Sequence, residues 1–525
     1  MKLNSLFVIS SPICLSYLVP QMFEFYDMFK KRYKLIHIAT RLGFATIVRK
    51  LIENGFDIDA KQKLGHSPLC LAVKYDKINV VKVLINMGAK ADGSCDEGKP
   101  SPLFNAVENK NEEIVRILIE NKANVNAKND RTETPLFMAV YVENENIVKL
   151  LLENGADPNM IRDSNKTPII FYAVYSRNEA IVRILMENNT NPNVKDEGKN
   201  TALFCAIYFD EKIVKLLLEY GADPNVKNNH EWTPMHYAIH FDNENIMKIL
   251  LEHGADPNFC DNEQRTPLFK TNLAESKIKI LTDHGANIHH KDVNGITPIV
   301  HAILMYKPKP ETVNTIKALI RNGADINTQP LPTYLKPLVH TAIECNDIEL
   351  LQFLISNEAD INLCDTNHNH ITPLFLAVKN NFEEGIKLLI DNGADVNLKD
   401  GNGNTPLFEA INTHSKFIEL LINSGADINS RNNFLETPLH MAALRGNIET
   451  MKLLIGKGGN MNAKTSSLET PLQFAAKSNQ YKLVKFFLEY DAYLNAKNRR
   501  NETSMELCLA SMCFESLKTI LDFSH

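Results

Sequence analysis

The 525-residue chain has no apolar run of the roughly 18 residues a membrane-spanning helix requires. It has one tryptophan and no Cys-x-x-Cys pair, and its nine cysteines are odd in number. Several of them occupy apolar positions, as Cys205 does in Leu203-Phe204-Cys205-Ala206, so buried free thiols in a reducing compartment are expected. Charge of one sign is also scarce. A net charge of −6 leaves no basic footprint for nucleic acid and no polybasic patch for a membrane surface. With 44% hydrophobic and 23% charged residues, the chain has a globular and not a disordered composition.

Catalytic and metal-binding spacings are missing as well. His230-Glu231 is followed by His236, which is the wrong spacing for two ligands on one helical face, and Pro234 would break that helix. Gly98-Lys99 and Gly198-Lys199 lack the Gly-rich upstream half of a phosphate loop, and Gly401-Asn402-Gly403 follows no strand. The stretch from Asp365 begins like a calcium loop, but its sixth residue is not Gly and its twelfth is Leu376. Neither Cys364 with His368 and His370, nor His289 with His290, completes four zinc ligands. The expectation is no catalytic residue, no cofactor and no metal.

What the chain does have is a phrase repeated about every 33 residues: Thr-Pro-Leu, two apolar helical stretches, then Gly-Ala-Asp-x-Asn. In residues 134–166, Thr134 is suited to cap a helix and Pro135 to occupy its first position. Leu136, Ala139 and Val140 mark a short first helix. Ile147, Val148, Leu150, Leu151 and Leu152 mark a second, whose wide apolar stripe fits burial between two neighbours. Gly155 ends that helix, and a polar hairpin-like connection leads to the next Thr-Pro. One such unit cannot bury its apolar face alone, so stacking must supply the core.

The Thr-Pro-Leu and Gly-Ala-Asp-x-Asn phrases resemble the ankyrin repeat family, from about Lys34 to the C-terminus. The resemblance implies an all-α solenoid of about fifteen helix-turn-helix units. The family's His in the first phrase is matched at His37, His236 and His440. Phe stands there at Phe104, Phe137, Phe204, Phe269, Phe375 and Phe408, which exchanges polar inter-repeat bonding for apolar contact.

The register is uneven. The unit at Thr266 carries Lys270-Thr271-Asn272 where apolar residues belong, and two insertions follow, Lys307 to Pro310 and Gln329 to Pro332. The expected organisation is an N-terminal subarray over 34–290, an irregular repeat over 291–335 and a C-terminal subarray over 336–525. Residues 1–33 are open to three readings: an export signal, a cap, or an overlong start with initiation at Met22 or Met28.

In ankyrin proteins the concave face and loop tips carry recognition, including the two residues after the paired Ala of the first helix. Those positions hold Tyr141-Val142, Tyr175-Ser176, Tyr208-Phe209 and His240-Phe241 in four consecutive units, with Tyr75 in an earlier one. In later repeats they hold Lys379-Asn380, Asn412-Thr413, Leu444-Arg445 and Lys477-Ser478. Tyr75, Tyr141, Tyr175, Tyr208, His240 and the loop residue Trp232 are therefore the candidate partner-binding residues, with Phe209 and Phe241 read as space-filling rings. The function expected is a non-enzymatic, monomeric, cytoplasmic scaffold for a protein partner, with no nucleic acid and no membrane span. A host-directed exported effector and a substrate-recruiting adaptor are the alternatives.

Overall fold

The computed structural model describes residues 35–62, 65–92, 100–162, 166–270, 274–305, 310–328, 336–413, 416–490 and 492–523. The N-terminal segment 1–33 and insertion residues 307–309 and 329–332 lie outside them. The chain divides into two compact units, residues 1–262 and 263–525, and segment 291–335 falls inside the second. The regular secondary structure of the described residues is α-helical almost throughout. One two-stranded ribbon pairs Ile161–Arg162 with Thr167–Pro168. No described helix is long and apolar enough to cross a membrane.

One repeat shows how the phrase folds. The Thr134 hydroxyl accepts the Phe137 amide at 3.3 Å, and Pro135 opens the helix Pro135–Tyr141 without sacrificing a donor. After a turn through Glu143, which is held at φ 58°, the Asn144 side chain caps the helix Glu145–Glu153 by accepting the Ile147 amide at 2.9 Å. The chain then leaves at Gly155, φ 84°. Its amide reaches Leu152 O and that of Ala156 reaches Leu151 O, so two terminal carbonyls are satisfied by a left-handed residue. Leu136, Ala139, Val140, Ile147, Val148 and Leu151 are fully buried.

Within each unit, first helices pack on first helices and second on second. Between repeats the closing Asn of the Gly-Ala-Asp-x-Asn phrase acts as a staple. Asn225 Nδ2 donates to Gly254 O at 2.9 Å, while its Oδ1 accepts the Asp256 amide at 2.8 Å. Asn126, Asn193, Asn397 and Asn429 each span the corresponding carbonyl and amide of the following repeat. Each staple replaces two backbone-to-water bonds by two fixed ones, joining neighbours at the loops as apolar burial joins them at the helices.

The family's histidine position behaves as its chemistry requires. His440 Nδ1 accepts the Thr437 amide at 3.1 Å, and its Nε2 lies 3.1 Å from Glu469 O in the next repeat. His340 reaches Ile371 O in the same way, although Leu338-Val339 displaces it by one residue from the usual phrase. Where Phe stands instead, rings meet: Phe137 is 4.6 Å from Tyr172 and Phe204 is 5.0 Å from Tyr237, both edge to face. At Thr266 the first helix shrinks to a single 3-10 turn, Pro267–Phe269, ending where the polar Lys270 replaces an apolar residue.

One expectation fails at the cysteines. Cys205, Cys260, Cys345, Cys364, Cys508 and Cys513 are free, but Cys70 is disulfide-bonded. An odd count of nine and the lack of a Cys-x-x-Cys pair favoured free thiols throughout, and neither excludes a single bond at another spacing.

Candidate interaction face on the first helices

The first helices of four successive repeats span Pro135–Tyr141, Ile169–Tyr175, Ala202–Phe209 and Pro234–His240. Each is short because its apolar run lasts only two turns. Its last residue therefore lies where the chain turns away and a side chain can remain outside the stack. Tyr141 is 65% exposed, Tyr208 61% and Tyr175 48%, and His240 is exposed beside them.

The rings form a connected series. Tyr172 is 6.4 Å from Tyr175, Tyr175 is 5.9 Å from Phe209, and Phe209 is 4.8 Å from Tyr208. Tyr208 meets Phe241 at 5.0 Å, and Phe241 meets His240 at 5.1 Å and Tyr237 at 5.8 Å. Trp232, half-buried in the preceding loop, closes the series at 5.6 Å from His240 and 5.8 Å from Tyr237. Most contacts are edge to face, the arrangement the ring quadrupoles favour, and they restrict the rings before any partner arrives.

The structure thus brings together Tyr175, Tyr208, His240 and Trp232. Tyr141 borders this group without a ring contact among the described residues. Tyr75 stands apart, half-buried with the Arg41 guanidinium 5.0 Å from its ring centre. The intervening repeat places Glu108-Asn109 at the ring positions, and Asn109 Nδ2 donates to Val73 O at 2.9 Å. Phe209 is half-buried as a spacer would be, whereas Phe241 is 39% exposed.

Tyr172 and Tyr237 escaped the sequence reading, which looked only after the paired Ala. They lie three residues before Tyr175 and His240, one turn back on the same face, so the i, i+3 spacing could have found them. Arg162 was missed too. It donates from Nη1 to Tyr172 Oη at 3.3 Å and from Nη2 to the buried Glu133 at 2.8 Å, with its guanidinium 5.7 Å from the Phe137 ring centre. The Ile161–Arg162 strand positions this group at the Tyr141 end of the series.

Three titratable groups within the ring series are held uncharged. Burial, then a contact from the Cys205 thiol 3.4 Å away, raises the Tyr175 hydroxyl above its ordinary range. Burial pushes the Cys205 thiol up to about 11 and raises the Tyr237 hydroxyl, so all three keep their protons near neutrality. Elsewhere, the Asp365 carboxylate of the calcium-like stretch is engaged by its own turn, accepting the Asn367 amide at 3.0 Å and pairing with His368 Nδ1 at 2.8 Å.

The family model described as ankyrin repeats (three copies) matches residues 14–94, 36–129, 103–196, 136–228, 170–261, 338–432 and 417–498. The chain belongs to the ankyrin repeat family. Its repeats are those of a protein-interaction scaffold. The ankyrin array is 34% identical over 100 residues to a B-cell lymphoma 3 protein homolog of Mus musculus. That match covers 19% of this chain and 22% of the relative's length. Among solved structures it matches the ankyrin repeat domain of Bcl-3, described as a unique member of the IkappaB protein family. The identity is 27%, the cover 41% of this chain and 96% of that one, and the TM-score 0.38.

Proposed function

We propose that this ankyrin array is a non-enzymatic scaffold that holds a protein partner across the first helices of residues 134–262. The observation that carries the reading is the connected ring series from Tyr172 to Trp232 on three successive repeats, bordered by the exposed Tyr141 of the repeat before them. Large rings with a polar tip give contact area at little rotamer cost, and rings already fixed by one another lose less freedom on binding. The equivalent positions of the second unit, Lys379, Asn412, Leu444 and Lys477, carry no rings, so the face belongs to the first unit alone.

The test is affinity capture from a cytosolic lysate with the native chain and with Tyr141→Ala, Tyr175→Ala, Tyr208→Ala and His240→Ala combined. Circular dichroism melting of both proteins accompanies it. Loss of a captured partner with an unchanged melting curve supports the reading. An unchanged set of partners removes it and turns attention to the loop tips and the second unit.

A further inference from the structure

We infer that the ring stripe receives an extended segment of its partner bearing arginine or lysine side chains. The inference rests on the stripe being the partner-binding surface and adds the chemistry of what it accepts.

The first ground is the residue that follows the two ring positions in each repeat. By count along the chain it is Glu143, Asp210 and Asp242 in three of the four ring-bearing repeats. Glu143 and Asp242 lie in the left-handed turn, and Asp210 caps the following helix, accepting the Lys212 amide at 2.8 Å. In the four later repeats it is Asn381, His414, Gly446 and Asn479, none of them acidic. Carboxylates thus accompany the rings and are absent from this place where the rings are absent. Glu143 and Asp242 are exposed, and Asp210 is half-buried, at the edge of the stripe.

The remaining ring-bearing repeat, second in chain order, has Arg177 at this place, and it supplies the second ground. Its guanidinium lies 4.9 Å from the Phe209 ring centre, as Arg162 lies over Phe137 at the other end. The face already accepts the chain's own cations on its rings. Tyr141 and Tyr208, the most exposed of the series, have no cation over them among the described residues. A ring face is the negative end of its quadrupole, so rings and carboxylates attract the same ligand charge, and a guanidinium suits both best.

The third ground is the wider field. Between Tyr141 and Asn245 the sequence carries sixteen Asp and Glu residues against ten Lys and Arg, so this stretch is acidic while the chain as a whole is only mildly so. Such a field favours encounter with a cationic segment and disfavours an acidic one. Geometry also sets a spacing. Neighbouring helices stand ~8–10 Å apart, and an extended chain advances ~3.3 Å per residue, so a cation about every third residue meets successive repeats.

Selection of random dodecapeptides displayed on phage against the full chain tests this. The recovered peptides should carry Arg or Lys at about every third position. Binding of the best peptide, read by fluorescence anisotropy, should weaken about tenfold in Glu143→Gln/Asp210→Asn/Asp242→Asn and should weaken in the native chain as salt is raised. Melting curves check that the variant stays folded, and the Asn and Gln side chains keep the local acceptors. A pool that is uncharged, proline-rich or acidic overturns the inference, as does a pool with no enrichment or binding indifferent to the three substitutions. The four-residue ring variant separates the two readings. If it abolishes binding while the carboxylate variant does not, the choice of cation is wrong and the stripe stands. If neither variant affects any recovered peptide, the stripe itself is not the surface.

Discussion

Tyr208 stands edge to face against Phe241, their ring centres 5.0 Å apart, although the two residues belong to different repeats. The contact lies outside the aliphatic core, so the outer rim of the first helices has its own inter-repeat adhesion. Rings that hold one another across repeats keep their geometry when the solvent beside them is replaced by a partner.

That contact should be measurable as a coupling. In a double-mutant cycle of Tyr208→Ala and Phe241→Ala, the interaction energy should be about 1 kcal/mol. Urea unfolding followed by the fluorescence of Trp232, the chain's one tryptophan, reads this region selectively. A coupling near zero would make the rings independent neighbours.

The Asn staples give a second expectation. Asn225→Ala removes two hydrogen bonds and leaves Gly254 O and the Asp256 amide to solvent. Because the site is partly wet, the cost should be about 1–2 kcal/mol and should appear as a lower urea midpoint at Trp232. Asn225→Asp should retain the acceptor half of the staple and lose less.

Three described repeats end their second helix without glycine, one of them at Asn189 and two at longer side chains. Lys122 and Glu358 adopt φ 64° and 63° at the place where Gly155 sits at 84°. Their amides make the same helix-closing bonds, to Ile119 O and Ile355 O. Lys122→Gly and Glu358→Gly should each stabilise the array by about 1 kcal/mol, since a left-handed backbone strains any residue with a Cβ. Thermal melts decide it, and a loss of stability would show that the side chains do more than occupy the turn.

His440 links stability to pH. Burial lowers its pKa from the usual 6.5 to about 4, and a proton on Nδ1 would face the donating Thr437 amide. The folded state therefore refuses a proton that the unfolded chain accepts. Its full contribution is present above about pH 6.5 and is lost as pH falls toward 4, by about 2 kcal/mol at pH 5. Gln473 holds the equivalent place in the next repeat, accepting the Thr470 amide and donating to Ala496 O and Glu502 O. His440→Gln should therefore keep the bonds and flatten this part of the profile between pH 7.5 and 5, as urea midpoints would show. An unchanged slope would assign the acid sensitivity to other groups, among them His340 and His301, which burial shifts in the same direction.

The sequence made the repeat legible where a residue's local conformation decides its role. Thr134, Pro135 and Gly155 each have one physical reason to be where they are, and the structure uses them so. The apolar spacing likewise named all five buried residues from Ile147 to Leu152. Features that depend on a neighbour one period away were harder to read. The closing Asn looks like an ordinary turn residue until the next repeat's carbonyl and amide are placed beside it. Tyr172 and Tyr237 look like packing until their rings are seen between those of adjoining helices. Arg162 looked like one more loop charge, because only the ribbon at residues 161–168 brings it to Tyr172 and Glu133.

The staple also makes length an editable property of the array. Asn193 reaches Gly221 O and the Asp223 amide, and Asn225 reaches the matching pair one period later. Excising one whole period presents each cut end with the acceptor and donor it had before. Gain or loss of a unit by unequal recombination is then a conservative change to the fold. What such a change alters is the length of the ring series.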